Sequence, residues 1–250
     1  NISHYPIHIK LDTGMHRLGF EPHLISELCS LLKNNNFVKV KSVFSHLSAS
    51  DDLEFDDFTK LQFQRFDAMY SEMEKVLPSK PIRHILNTSG IFNYAEKQME
   101  MVRLGIGLYG IGNSEQELQS LENVSTLKTI ISQIREVSAE ESIGYSRRFR
   151  VTQKMKVATI PIGYADGIRR AWGNEKGFVT INDQKATILG SICMDMMMVD
   201  VTHISCKAGD EVIVFGKNPK VIEMASVIGT IPYEILTGIS QRVKRIFYKN

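Results

Sequence analysis

Polar side chains follow the predicted strands in the first half of the chain, where parallel α/β units place their functional groups. Lys10 lies at the end of the first of these strands and Arg17 follows it, and His46 follows the second strand. A histidine at a strand end can act as a general acid or base, although a structural histidine is more common. Arg17 could equally be a structural partner of Asp12, so both readings stay open from the residues alone.

An anion site is predicted where the third and fourth predicted strands end. Asn87 and Thr88 begin a helix with polar oxygens and backbone N–H groups that suit a phosphate, although a simple helix cap is the commoner reading. Gly105 would let the backbone approach the same anion closely. Arg103 stands among apolar strand residues and needs a partner once buried, which could be a structural acceptor, an anion or a ring nitrogen.

The second half of the chain offers three suggestive side chains, each with a structural alternative. Tyr145 precedes two arginines, but a phenol with a pKa of about 10 needs an unusual environment before it can act as a base. Tyr164 lies in Gly-Tyr-Ala-Asp-Gly, which is typical of a turn. Met194 lies in a methionine-rich run, and thioethers bind hard cations poorly, so we expect strand core and no metal site.

The residues that position these groups change in pattern near residue 114. Residues 1–114 alternate short β-rich runs with amphipathic helices, which indicates parallel βα units in a doubly wound sheet or part of a (β/α)8 barrel. A whole barrel takes about 250 residues, so we expect only half of one. The predicted strands are Ile7–Leu11, Val38–Phe44, Ile82–Leu86 and Met101–Ile106.

Residues 115–250 predict an all-β domain, because short β-type runs alternate with turn residues and only one late helix, Val221–Ile228, is evident. We therefore predict two domains, residues 1–114 and 115–250. The expected strands of the second domain are Thr126–Ile134, Met155–Ile160, Gly177–Ile181, Ala186–Gly190, Met197–Val201 and Glu211–Phe215.

Composition and charge exclude several classes of function. The 30 Lys and Arg against 28 Asp and Glu leave a net charge of +2, too small to indicate a nucleic acid or membrane partner. No apolar run approaches the roughly 20 residues of a membrane span. The three isolated cysteines indicate neither a disulfide framework nor a zinc site, and we expect a cytoplasmic protein.

Taken in order, seven segments resemble the motifs of bacterial alanine racemases and together cover nearly the whole chain. The resemblance implies a fold-type III pyridoxal 5'-phosphate enzyme, with the second half of a (β/α)8 barrel followed by a C-terminal β domain. The implied activity is the interconversion of L- and D-alanine, which supplies D-alanine for peptidoglycan. The segments are His8–Phe20, Phe44–Leu47, Asn87–Ser89, Val102–Ile106 with Leu108–Gly110, Gly163–Gly167, Gly190–Asp195 and Arg242–Arg245.

The resemblance also implies how the cofactor is held. Arg103 would donate a hydrogen bond to the pyridine nitrogen. Because an arginine keeps its proton, that nitrogen would stay unprotonated and be a poorer electron sink, which favours racemisation over side reactions. The residues implied for the cofactor phosphate are Asn87, Thr88, Gly105, Ile106 and Tyr233.

Racemisation needs proton-transfer groups on opposite faces of the substrate α-carbon, and the resemblance makes Tyr145 one of them. The partner subunit of a head-to-tail homodimer would contribute Tyr145 together with Met194. Tyr164 would contact the substrate, which is alanine.

Three basic residues of the first half complete the implied site. Arg17 would lie beside the substrate carboxylate and the cofactor oxygen, oriented by Lys10, which is often carbamylated in the family. His46 would lie between Arg103 and the catalytic tyrosine.

The sequence departs from the family at one motif. No lysine is followed by anything like Lys-Ala-(Asn/Asp)-Ala-Tyr-Gly-His-Gly, the motif of the lysine that forms the Schiff base with the cofactor. We therefore expect the C-terminal two-thirds of a racemase, inactive alone and without covalently bound cofactor; an upstream cell-wall ligase would be compatible. Two alternatives stay open: a related amino-acid racemase, and a non-catalytic cofactor-binding or dimerisation module of a larger fusion protein.

Overall fold

The computed structural model describes residues 3–33 and 35–248. The chain divides into two compact units, Asn1–Glu122 and Asn123–Asn250. The short helix Glu115–Gln119 therefore lies in the first unit, whereas the predicted boundary assigned residues 115–122 to the second. The reason is local bonding: the side-chain amide of Asn113, just before this helix, donates to Ser89 Oγ at 2.9 Å.

The first unit contains a parallel sheet of three strands in the order β1-β2-β3. A helix follows each strand, so the predicted alternation of strands and helices is confirmed over this part of the chain. The elements are β1 (Tyr5–Lys10), α1 (Ile25–Lys33), β2 (Val38–Phe44), α2 (Asp56–Glu74), β3 (Ile82–His84), α3 (Thr88–Asn93) and α4 (Glu115–Gln119).

Helix α2 is fixed to the sheet by one apolar face. Phe66 and Met73 are completely buried on it, and they belong to one core cluster with Ile9 of β1 and Val43 of β2. The spacing of three and four residues along α2 is the helical period that puts such side chains on a single face. This packing sets the position of every other residue that α2 presents to the strand ends.

The predicted fourth strand, Met101–Ile106, is wrong. Two isolated backbone bonds connect this segment to the third strand and the residues after it: Met101 N donates to Arg83 O at 3.3 Å, and Arg103 N donates to Leu86 O at 3.0 Å. A 3-10 turn over Ile106–Tyr109 begins at the last residue of this segment. Two bonds do not make a ladder, so the segment runs along β3 as irregular chain.

The second unit is built on an antiparallel sheet of seven strands in the order β4-β12-β9-β10-β11-β8-β5, with β6 and β7 as a separate pair. The predicted β sheet is thereby confirmed, but the late helix Val221–Val227 is followed by a second one, Pro232–Gly238, that was not predicted. The elements are β4 (Leu127–Ile130), β5 (Gln133–Val137), β6 (Ser142–Ile143), β7 (Phe149–Arg150), β8 (Met155–Ile160), β9 (Phe178–Ile181), β10 (Gln184–Leu189), β11 (Met197–Asp200), β12 (Glu211–Phe215), α5 (Val221–Val227) and α6 (Pro232–Gly238).

The segment Thr126–Ile134 is two strands rather than the single strand predicted. β4 and β5 lie at opposite edges of the seven-stranded sheet. The two residues between them pair with different neighbours, because Ile131 N donates to Asp210 O at 2.9 Å and Ser132 N donates to Thr159 O at 2.9 Å. A continuous run of β-type residues does not reveal such a change of partner.

No helix in residues 3–33 and 35–248 is long and apolar enough to cross a membrane. In the same ranges, no group of three or more His, Cys, Asp or Glu side chains is placed to hold a metal ion.

Replacing Phe66 by alanine tests the packing of α2. We expect Phe66→Ala to lower the free energy of unfolding by about 3–5 kcal/mol, because the change leaves a cavity in the core. Leu61 lies on the same helix but is 37% exposed, so Leu61→Ala should cost under about 1 kcal/mol. Urea denaturation followed by circular dichroism measures both, and equal losses would contradict this account of the core.

Candidate active site

The guanidinium of Arg103 lies at the carboxyl ends of β2 and β3, held by backbone carbonyls. Nη2 donates to Ser45 O at 2.6 Å and to Ile85 O at 3.1 Å, and Nη1 donates to His84 O at 3.1 Å. The group also lies over the Phe44 ring, 5.4 Å from its centroid, which favours the cation. No carboxylate in the described part of the chain pairs with Arg103, so its charge is left for another partner.

Two imidazole rings flank Arg103. Nη1 lies 2.5 Å from His84 Nδ1, and Nη2 lies 3.2 Å from His46 Nδ1. Because arginine only donates, both Nδ1 atoms must accept, which leaves each neutral ring with its proton on Nε2. Burial, with the nearby charge of Arg103, lowers the pKa of each histidine to about 4.

His84 is a site residue that the sequence analysis missed. Its Nε2 lies 3.0 Å from Ser42 Oγ, which in turn lies 2.6 Å from His8 Nδ1. The chain of bonds therefore runs from Arg103 through three side chains of the three adjacent strands. The sequence signal for His84 was a polar residue in the middle of the predicted strand Ile82–Leu86. Because alternate residues of a strand share a face, such a residue points to the same side as other polar strand residues.

The hydroxyl of Thr88 joins the start of α3 to the segment after Arg103. Its Oγ1 accepts from Gly105 N at 3.0 Å and from Gly107 N at 3.2 Å. The Thr88 hydroxyl hydrogen is left to donate elsewhere, and Ile106 N has no acceptor among the described residues. A Cβ built on Gly105 would meet only Thr88 Oγ1, at 3.8 Å, so open space adjoins these donors.

Asn87 acts here as a helix cap. Its Oδ1 accepts from Gly90 N at 2.9 Å and from Ser50 Oγ at 2.7 Å. The side-chain oxygen is therefore engaged inside the protein, which is the structural reading of this motif. Only the amide N–H groups of Asn87 are left for a ligand.

Lys10 and Arg17 lie close enough to His46 for both to lower its pKa. The pKa of Lys10 is itself lowered, first by burial and then by the charge of Arg17. The structural alternative for Arg17 does not hold, because Asp12 Oδ1 accepts instead from Gly14 N at 2.9 Å and His16 N at 3.1 Å. Asp12 shapes the loop and leaves Arg17 exposed.

The second unit has its own cavity, of about 870 Å³, lined by Tyr145 and Met194 among others. The backbone around Tyr145 is unusual, since Gly144, Ser146 and Arg147 all have positive φ, at 76°, 58° and 50°. For Ser146 and Arg147, which carry side chains, such backbone is costly, and it is found preferentially at functional sites.

Tyr164 is held against the loop that carries Met194. Tyr164 N donates to Cys193 O at 3.0 Å. The preceding Gly163 allows this approach, because a Cβ there would meet Cys193 O and Met194 O at 2.4 Å each. Tyr233 lies in α6, where its carbonyl accepts from Thr237 Oγ1 at 2.7 Å.

The predicted site residues are thus divided between the two units. The second unit holds Tyr145, Tyr164, Met194 and Tyr233. The first unit brings Lys10, Arg17, His46, Asn87, Thr88, Arg103, Gly105 and Ile106 to the carboxyl ends of its strands. A basic cluster beside free backbone and hydroxyl donors can bind a ligand that carries a phosphate and a hydrogen-bond acceptor.

Comparison with known proteins gives matches along both units. Residues 2–113 match the family described as alanine racemase, N-terminal domain, and residues 124–247 match alanine racemase, C-terminal domain. Alanine racemase 1 of Clostridium acetobutylicum is 37% identical over 98% of this chain. The chain spans 65% of the length of that relative.

Solved structures show the same similarity in three dimensions. The alanine racemase of Clostridium difficile 630 superposes with a TM-score of 0.88 at 32% identity, covering 96% of this chain and 64% of that one. The Bartonella henselae alanine racemase, solved with covalently bound pyridoxal phosphate, gives 0.86 at 31% identity, covering 97% of this chain and 66% of that one.

The neutral histidines beside Arg103 predict a specific sensitivity to acid. Between a pH of about 6.5 and about 4 the unfolded chain protonates these rings while the folded chain does not, so the free energy of unfolding falls as the pH falls. We expect His84→Gln, which retains an acceptor and a donor, to make this fall smaller. Denaturant unfolding at a series of pH values measures it.

Thr59→Val supplies the matched control for that experiment, because Thr59 is completely buried but has no titratable group. Its free energy of unfolding should fall with pH as steeply as that of the unmodified chain. A His84→Gln profile that coincides with the unmodified one would contradict the assignment of a neutral, buried His84.

Proposed function

The chain belongs to the alanine racemase family, and we propose on that premise that it serves the interconversion of L- and D-alanine with pyridoxal 5'-phosphate as cofactor. The observation that carries the proposal is the placing of Arg103 and Thr88 in one cluster. The donors fit the cofactor, because Arg103 Nε–H is unused in the described structure while both Nη atoms are engaged. Thr88 Oγ and Ile106 N supply further donors.

Each group of the cluster has a distinct task in this proposal. When bound, pyridoxal 5'-phosphate withdraws electrons from the substrate α-carbon and makes its proton removable. Arg103 would donate from Nε to the ring nitrogen and, because it cannot release that proton, would keep the nitrogen unprotonated. Thr88 and Ile106 would hold the phosphate, and Arg17 would bind the alanine carboxylate.

Proton transfer at the α-carbon is assigned to Tyr145. Its Oη would take the proton from one face of the alanine α-carbon or return it there. The opposite face requires a second group, which in the family is the lysine whose motif this sequence does not contain.

We further propose that two copies of the chain share each active site. Tyr145 and Met194 are 70% and 55% exposed, although they line the cavity of the second unit. Large exposed side chains around a cavity favour completion of the site by another surface. In the same proposal, β1, β2 and β3 belong to the second half of a (β/α)8 barrel.

Substitution of Gly105 tests the phosphate site without requiring turnover. Gly105→Ala places a methyl group in the open space beside Thr88, and the loss of phosphate contacts should weaken binding of pyridoxal 5'-phosphate by about 10- to 100-fold. Isothermal titration of the 250-residue chain measures it. Pyridoxal, which lacks the phosphate, is the matched control and should bind both forms equally.

Replacing Tyr145 tests the proposed chemistry. In the longest natural form of the chain, Tyr145→Phe should slow α-proton exchange of one alanine enantiomer in deuterated water by at least about 100-fold, and that of the other far less. Tyr5 is also exposed, at 58%, and Tyr5→Phe should change neither rate. Equal losses for the two enantiomers would contradict one-sided proton transfer by Tyr145.

A further inference from the structure

Gln62 is a completely buried polar residue on α2. Its Nε2 donates to Thr13 Oγ1 and to His46 O, both at 3.1 Å, and its Oε1 accepts from Ser48 N at 2.9 Å. Both ends of the amide are therefore hydrogen-bonded. Thr13 lies in the loop after β1, and His46 and Ser48 lie in the loop after β2. A single side chain of the helix thus connects the two loops.

The bonds of Gln62 continue through Thr13 into the strand ends. Ser45 Oγ donates to Leu11 O at 2.7 Å and lies 2.8 Å from Thr13 Oγ1. Because the Ser45 hydrogen is used on Leu11, Thr13 must donate to Ser45 while it accepts from Gln62. Arg65, one turn further along α2, also donates to Thr13 O at 3.1 Å.

The two loops that Gln62 connects carry three groups of the candidate active site. The loop after β1 continues from Thr13 to Arg17, and the loop after β2 contains His46. Ser45 O, in the loop after β2, also accepts from Arg103 Nη2 at 2.6 Å. The amide of Gln62 is therefore bonded directly to both loops. One loop carries Arg17, and the other carries His46 and the Ser45 carbonyl that accepts from Arg103.

We infer that Gln62 is a positioning residue, which fixes the loop of Arg17 against the loop of His46. It thereby keeps the His46 ring beside Arg103 and shielded from water. Its importance for the reaction rests on the proposed function, whereas its effect on His46 does not. If the amide is removed, His46 O and Ser48 N lose this partner, which is unfavourable until water replaces it. The loop is then expected to move outward, where water replaces the lost bonds.

Titration of His46 by NMR tests this inference in the ligand-free chain. The charged groups that face this ring are Arg103, Arg17 and Lys10, and burial is the larger cause of its lowered pKa. Moving the loop outward weakens both causes. We therefore expect Gln62→Met, which nearly preserves volume, to raise the midpoint from about 4 by about one pH unit or more; a His46→Asn chain assigns the signal.

Two further variants keep the test decisive. Thr13→Val removes the hydroxyl that links Gln62 to Ser45 without changing volume, so it should raise the midpoint in the same direction even where Gln62→Met fails to fold. Thr59 is also completely buried on α2, but within the described residues it bonds to neither loop, so Thr59→Val should leave the midpoint unchanged. The inference would be overturned if the His46 midpoint were unchanged in both Gln62→Met and Thr13→Val. It would also be overturned if Thr59→Val shifted the midpoint equally.

Binding of pyridoxal 5'-phosphate to the same proteins separates this inference from the proposed function. If the unmodified chain does not bind the cofactor while the His46 midpoint still shifts, the proposed function fails and the role of Gln62 in positioning the loops stands. If the chain binds the cofactor but the midpoint does not move, only the inference about Gln62 fails. With both correct, Gln62→Met should weaken cofactor binding several-fold.

Discussion

A cation that cannot give up its proton, held by neutral acceptors, is the constraint on which the first unit depends. Arg103 is surrounded by carbonyl oxygens and two imidazole nitrogens. Burying such a charge is unfavourable unless its donors are satisfied, and the strand ends supply the acceptors in fixed positions. The neutral state of His46 and His84 follows from the same requirement, because a second cation beside Arg103 would be repelled.

Three parts of the fold, at increasing distance from the Arg103 guanidinium, provide this environment. The parallel strands bring their carboxyl ends to one edge, where Ser45 and Ile85 present carbonyls to Arg103. Behind them, Gln62 on α2 holds the loops, and the buried face of α2 holds that helix. The chain's own residues thus hold the proposed site prearranged, so that binding of a ligand would need little reorganisation.

Much of this arrangement was predictable from the sequence, and the failures share one cause. Periodicity indicated β2 and α2, and the motif resemblance indicated Arg103, Thr88 and Gly105 as one site. The capping role of Asn87 was foreseen as the commoner reading of its motif. The predicted fourth strand does not form, and the roles of His84 and Gln62 were missed. Each depends on hydrogen bonds between distant parts of the chain, such as the 49 residues between Gln62 and Thr13, which local patterns do not record.

The protonation state of the cofactor's ring nitrogen tests the central claim most directly. Pyridoxal 5'-phosphate labelled with 15N in the ring would be bound to the chain and its nitrogen chemical shift measured. The account predicts the shift of an unprotonated nitrogen that accepts a hydrogen bond, and a change of this shift in Arg103→Gln. A pyridinium shift, or a shift that is the same in both proteins, would contradict the role given to Arg103.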